Sequence, residues 1–184
     1  MTKLIKILFL FFFLYGCKTG ISELIIKQND NQENVIVNYS SNMNQFWAIN
    51  IPIKIEIENT FQNQIKLVDH KYLYNNKGTF SKVYEIIGHK NIKPIKEPVI
   101  GSGANKSFII YSKHFIDTIK FKKEYFSKRG NLKLESDYHI NDILEFKREY
   151  TALATSILKK DTIKLTFFDT KTDNFFVKRI PVKW

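Results

Sequence analysis

Residues 47–58 read Trp-Ala-Ile-Asn-Ile-Pro-Ile-Lys-Ile-Glu-Ile-Glu. Trp47, Ile49, Ile51, Ile53, Ile55 and Ile57 occupy successive odd positions, while Ala48, Asn50, Pro52, Lys54, Glu56 and Glu58 take the even ones. Side chains along a strand alternate between two faces, so six apolar residues in step specify a strand buried on one side and wet on the other, as in an antiparallel sheet. At about 3.3 Å per residue the strand reaches roughly 35 Å, long enough to bend across two sheets. Pro52 has no N–H to give a ladder, which puts that point at an edge or a bulge.

The same period of two extends in both directions. Upstream, Val35, Val37 and Tyr39 alternate with Ile36 and Asn38. Downstream, Asn59–Asn63 makes a turn, and Ile65, Leu67 and Tyr72–Tyr74 describe a second strand. Asn75-Asn76-Lys77-Gly78 is a hairpin turn, because Asn and Gly tolerate positive φ, and Phe80, Tyr84 and Ile86 form the return strand. A loop with Pro94, Pro98, Gly101 and Gly103 leads into a short apolar strand at Ser107–Ser112. At the C-terminus, Ile163, Leu165 and Phe167, the turn Asp169–Asn174, and Phe176, Ile180, Val182 and Trp184 describe a hairpin that ends on a buried Trp.

Between about 115 and 160 the period changes. Ile143, Phe146, Tyr150, Leu153 and Ile157 recur at steps of three and four, and Asn141 or Asp142 can cap the start, which predicts a helix near 143–158. Residues 117–128 fit a helix capped by Asp117 or a strand on Ile119, Phe121 and Tyr125, and periodicity does not choose between them. Six to eight strands with regular turn signals point to a mainly β fold, an immunoglobulin-like antiparallel β-sandwich with a helical insertion before the C-terminal hairpin. The stretch Ile53–Leu67 resembles the strand-turn-strand of immunoglobulin-like exported domains in pattern alone.

The N-terminus obeys other rules. Lys3 and Lys6 precede an unbroken apolar run, Ile7–Tyr15, followed by Gly16. Nine residues at about 1.5 Å each cover about 14 Å, half of a bilayer's hydrocarbon core, so the run has the dimensions of a secretory signal and not of a membrane span. Leu14-Tyr15-Gly16-Cys17 resembles the lipobox of bacterial lipoproteins. The resemblance implies diacylglycerol transfer to the Cys17 thiol, cleavage between Gly16 and Cys17, and acylation of the new amino terminus. It implies a signal peptide at 1–16 and an acylated Cys17; the polar stretch that follows, to residue 33, reads as a tether with room for a short edge strand at its apolar patch Leu24–Ile26, and 34–184 reads as one globular domain. Lys18 is not the aspartate that resembles an inner-membrane retention signal, and no acidic cluster follows the cysteine as in surface-export signals. Both features lean toward the outer membrane, facing the periplasm.

The chain has 184 residues, with 29 Lys plus Arg against 18 Asp plus Glu, and a single cysteine. One cysteine excludes a disulfide scaffold and a thiolate zinc site. Cleavage would remove Lys3 and Lys6 and no acid, taking the formal charge from +11 to +9. Such a charge favours acidic partners, including anionic lipid headgroups and envelope glycans. The densest basic clusters are Lys120-Phe121-Lys122-Lys123 and Lys128-Arg129, within a chain whose lysines are otherwise evenly spread. No nucleic-acid-binding motif accompanies them.

Catalytic patterns are sparse. His70, His89, His114 and His139 form no chelating pair at helical or turn spacing. Gly101–Ser107 lacks the glycines of a phosphate loop: Asn105 precedes the Lys-Ser pair and Ile100 stands five residues before it. Glu56, Glu58, Asp169 and Asp173 are carboxylates without a pattern that would raise a pKa as a general acid requires. Tyr72, Tyr74 and Tyr84, around the Asn75–Gly78 turn, form a candidate aromatic binding face. The expectation is therefore a lipid-anchored envelope domain without cofactor, metal or enzymatic activity, binding another envelope protein as an accessory, assembly or inhibitor subunit. The alternative is a module for an anionic polymer or lipid headgroup.

Overall fold

The longest strand, Gln45–Asn59 (β3), is the spine of the larger of two sheets. The computed structural model describes residues 23–87, 91–126 and 136–184. Among these, twelve strands form two antiparallel sheets, an immunoglobulin-like sandwich with two short helices before the last hairpin.

On one side of β3 lies Asn105–Phe115 (β9), followed by Ser81–Ile87 (β6) and Asn91–Pro94 (β7). On its other side two strands share the edge. Val35–Ser40 (β2) pairs with Gln45–Asn50, and Leu24–Asn29 (β1) pairs with Lys54–Asn59. Pro52 sits in the gap between these partners, so its missing N–H costs no ladder bond. A short strand, Tyr138–Ile140 (β10), extends the sheet beyond β2. The second sheet runs Asn174–Pro181 (β12), Thr162–Asp169 (β11), Ile65–Tyr74 (β4) and Lys77–Thr79 (β5), with Val99–Ile100 (β8) also on β4.

The isoleucine face of β3 is covered by two different things. Ile53, Ile55 and Ile57 pack with Leu67, Tyr72, Phe108, Leu165 and Phe167 between the sheets. Ile49 and Ile51 instead meet Phe121, Phe126, Phe146, Tyr150 and Leu153, so residues from 116–126 and 140–157 cap the part of the large sheet that the smaller one does not reach. All five isoleucines are at most 2% exposed, a burial worth on the order of 10 kcal/mol. Β1 belongs to this core as well, because Leu24 is buried, so the ordered sheet begins inside the segment read as a tether.

Several expectations change in detail. The β2–β3 register shifts at Asn38/Tyr39, so Phe46 turns inward to the core while Trp47 leaves the isoleucine face. Trp47 packs on Phe115, with the Lys113 ammonium over its ring. The hairpin turn is as expected, with positive φ at Asn75 and Asn76. The return strand is not continuous: β5 stays with β4, then the chain crosses at Phe80 and β6 joins the other sheet. The predicted helix is broken at Tyr150 (φ −121°) into Ile143–Glu149 (α1) and Thr151–Ile157 (α2). Asp142 caps α1, its side chain accepting from Glu145 N–H at 2.7 Å. The described part of 117–128 is not a strand: Asp117 caps a turn by accepting from Ile119 and Lys120 N–H, and a short 3₁₀ helix follows at Lys123–Phe126. Trp184 follows β12, half-buried against both core clusters.

Candidate functional site

The even face of β3 and its neighbours faces away from both the smaller sheet and the helices. Register places Ile36, Asn50 and Lys113 side by side across β2, β3 and β9, and next to them Pro52, Tyr111 and Lys82 across β3, β9 and β6. All of these but Pro52 floor a cleft of about 440 Å³, completed by Asn38, Phe80, Tyr84, Ile92 and Asp137. Tyr84 meets Tyr111 edge to face at 5.7 Å. Burial and the charge of Glu33 push the Tyr111 hydroxyl up to about 12, so it stays a neutral donor at physiological pH. Polar groups line one wall as a chain: Asn50 Nδ2 donates to Asn38 Oδ1 at 2.8 Å, and Asn38 Nδ2 to Asp137 Oδ2 at 3.0 Å.

A second groove, about 280 Å³, adjoins the first at the end of the sandwich and shares Phe80 and Lys113 with it. Tyr74, Thr79, His114, Phe115 and Ile157 line it. Phe80 stands between the two, 73% exposed at the crossover from β5 to β6. With Phe115 (59%) and Ile92 (37%) it makes an apolar rim over the aromatic floor.

Behind the smaller groove lies a buried polar seam. His114 is 4% exposed and packs edge-on against Tyr72 and Tyr74 at 5.4 and 5.5 Å. Ser112 Oγ donates to the Ile51 carbonyl at 3.2 Å and accepts from His114 Nε2 at 3.0 Å, the assignment that satisfies all three groups. Burial lowers His114 to about 4, opposed in part by the charge of Asp161. Tyr72 is raised, first by burial and then by its hydrogen bond to Asp161. The seam fills the junction of the two core clusters, and nothing in the one-dimensional pattern marked it.

The three tyrosines expected to share a face do not. Tyr72 is fully buried and its hydroxyl is spent on Asp161, so it is no binding residue. Tyr74 points into the smaller groove, and Tyr84, on the other sheet, lines the larger cleft. The chain's crossing at Phe80 separates them. Of the basic cluster, Lys123 is drawn into the fold, donating to Asn44 Oδ1 at 2.8 Å and lying over the Tyr39 ring. Lys120 lies over Phe121, and Lys122 is exposed. Gly16, Cys17, His89, Lys128 and Arg129 lie outside the described residues.

Two of the carboxylates weighed as catalytic, Glu56 and Asp169, are held toward their charged form. Glu56 accepts from Asn105 and Asn29, which lowers its pKa, and backbone N–H groups at Lys171 and Thr172 lower that of Asp169. His70 turns its ring to the Ser81 carbonyl and not to Asp69. Among the described residues no three His, Cys, Asp or Glu side chains gather as metal ligands, and no helix is long and apolar enough to cross a membrane.

No protein-family model matches the chain, and neither does any curated protein.

Proposed function

We propose that this chain is a lipid-anchored envelope protein, facing the periplasm from the outer membrane, that holds a segment of another protein on the open face of its seven-stranded sheet. One observation carries the binding role: the 440 Å³ cleft sets Ile36, Tyr84 and Tyr111 among Asn50, Lys82 and Lys113, is rimmed by exposed Phe80 and Ile92, and is edged by Asn38 and Asp137. That combination of aromatic and aliphatic surface with a few polar groups is the composition of a recognition site. The Leu14–Cys17 sequence supports the anchor. From Cys17 to Leu24 the chain spans at most about 25 Å, which would keep the β1 end of the domain near the membrane surface. Leu24 pairs with Asn59 at one end of β3, and Asn50, in the cleft, lies about 30 Å further along that strand. The cleft therefore opens well away from the anchored end.

A photo-crosslinking amino acid placed at Lys82 in the full-length chain tests this in isolated envelopes. The expected result is a discrete adduct with another protein, lost in the Phe80→Asp, Tyr84→Ala variant and retained at high salt. No adduct, or one indifferent to the two substitutions, would sink the protein-binding role. An adduct with polymer or lipid that vanishes as ionic strength rises would replace it with the anionic-ligand alternative.

A further inference from the structure

His114 lines the smaller groove although only 4% of it is exposed. Its Nε2 donates to Ser112 Oγ, so in the neutral ring Nδ1 is the acceptor. Nδ1 has no hydrogen-bond partner among the described residues, yet it is not sealed from solvent, and the groove is the opening that His114 borders. Leaving an acceptor on so buried a ring without a donor is costly. The neighbouring polar side chains are already taken. Tyr74 Oη donates to the Ser156 carbonyl at 3.3 Å, Thr79 Oγ1 donates to the Lys113 carbonyl at 2.8 Å, and the Lys113 ammonium lies over Trp47. Lys77 stands exposed at the hairpin turn. A water on Nδ1 would therefore face mainly apolar walls, short of the roughly three partners that hold an ordered water in place.

We propose that the smaller groove binds a phenol, its ring among Tyr74, Phe80 and Phe115 and its hydroxyl donating to His114 Nδ1. At about 280 Å³ the groove lies just under the range of drug-sized ligands, which suits a single ring. Phe80 and Phe115, both largely exposed, and Tyr74 offer that ring aromatic neighbours on the way in. The charge of the donor is constrained as well. A carboxylate brings no proton to Nδ1, and an ammonium would meet the charges of Lys77 and Lys113. A neutral hydroxyl meets neither objection, and on an aromatic ring it is a stronger donor than an alcohol or an indole N–H. The phenol is either a free small molecule or the tyrosine side chain of a bound protein; the chemistry at His114 is the same. The groove shares Phe80 and Lys113 with the larger cleft, but the assignment does not rest on what that cleft holds.

NMR of the ring nitrogens in the full-length chain, with histidine isotopically labelled, tests the assignment at matched free concentrations of each probe. p-Cresol should move the His114 Nδ1 resonance upfield, saturably, as an acceptor that has gained a hydrogen bond. p-Methylanisole, the same ring with its donor methylated, should bind about tenfold more weakly, the worth of one hydrogen bond, and leave Nδ1 unmoved. Phe115→Ala, at the exposed rim, should weaken p-cresol several-fold. No movement of Nδ1, equal binding of the two probes, or an affinity unchanged in F115A overturns the proposal. The donor is removed from the probe and not from the protein, so a failure to fold cannot imitate the result. N-acetyltyrosinamide then separates the two sources. Binding at least as tight as that of p-cresol upholds the site as one for a protein's tyrosine, and weaker binding upholds it as one for a free phenol. Neither result bears on a crosslink at Lys82, which reads the larger cleft alone.

Discussion

Tyr72 Oη donates to Asp161 Oδ2 at 2.6 Å, joining the middle of the smaller sheet to the residue that precedes β11. Trp184 Nε1 reaches the same oxygen at 3.0 Å, while Oδ1, also buried, has no partner among the described residues. A carboxylate 1% exposed is thus held by two aromatic donors on a single oxygen. Tyr72→Phe should cost about 1.5–3 kcal/mol, the value of a hydrogen bond to a charged group. Asp161→Asn, whose amide oxygen still accepts from both rings, should cost less than Asp161→Ala. Urea midpoints at unchanged m-value check the ordering; equal loss in N and A would contradict this account of Asp161.

His114 makes stability depend on pH. Its folded pKa, about 4, lies below the ordinary value of 6.5 because burial penalises the imidazolium. Between these values the unfolded chain binds more protons than the folded one, so stability rises with pH across that window and levels off above it. The slope this residue contributes approaches about 1.4 kcal/mol per pH unit. His114→Gln should flatten the stability profile between pH 4.5 and 6.5, and an unchanged slope would refute the buried neutral imidazole.

Asn59 closes the far end of the sandwich. Fully buried, its Nδ2 donates to the carbonyls of Asn63, Ile100 and Gly101, and its backbone carbonyl accepts from Gly103 N–H. Asn59→Ala strands those carbonyls and should destabilise the domain by about 2–3 kcal/mol. Hydrogen exchange should quicken at Gly103 and Ala104 before β9 responds.

Asp142→Ala removes the cap of α1 and should cost about 1 kcal/mol. Asp142→Ser should recover most of it in thermal denaturation, since a hydroxyl also accepts from Glu145 N–H.

Cys17→Ser should abolish palmitate labelling and leave the protein uncleaved or released from the membrane. Label that persists in the serine variant would refute the lipobox reading of Leu14–Cys17.

Elements whose cause is local were legible before any contact was known. Asn75 and Asn76 adopt positive φ because their short amide side chains tolerate it, and Asp142 caps because a carboxylate can reach the N–H three residues on. The isoleucines of β3 face one way because a strand alternates, and the exception at Trp47 comes from a bulge set by β2, not by its own neighbours. The cleft was half legible: Tyr84 was marked, but Tyr111, Asn50 and Phe80 join it only through the pairing of β3, β9 and β6.

By itself the sequence determined the β class, the strand that carries the core, the turn after Tyr74 and the start of the helical segment. Each follows from spacings of a few residues. Tertiary structure alone decided that Tyr72 is buried and Tyr84 exposed, that His114 faces Asp161 across the junction of two core clusters, and that β12 ends a sheet. Those outcomes depend on which strand covers which face, and the partners concerned lie tens of residues apart, beyond the range of any local periodicity.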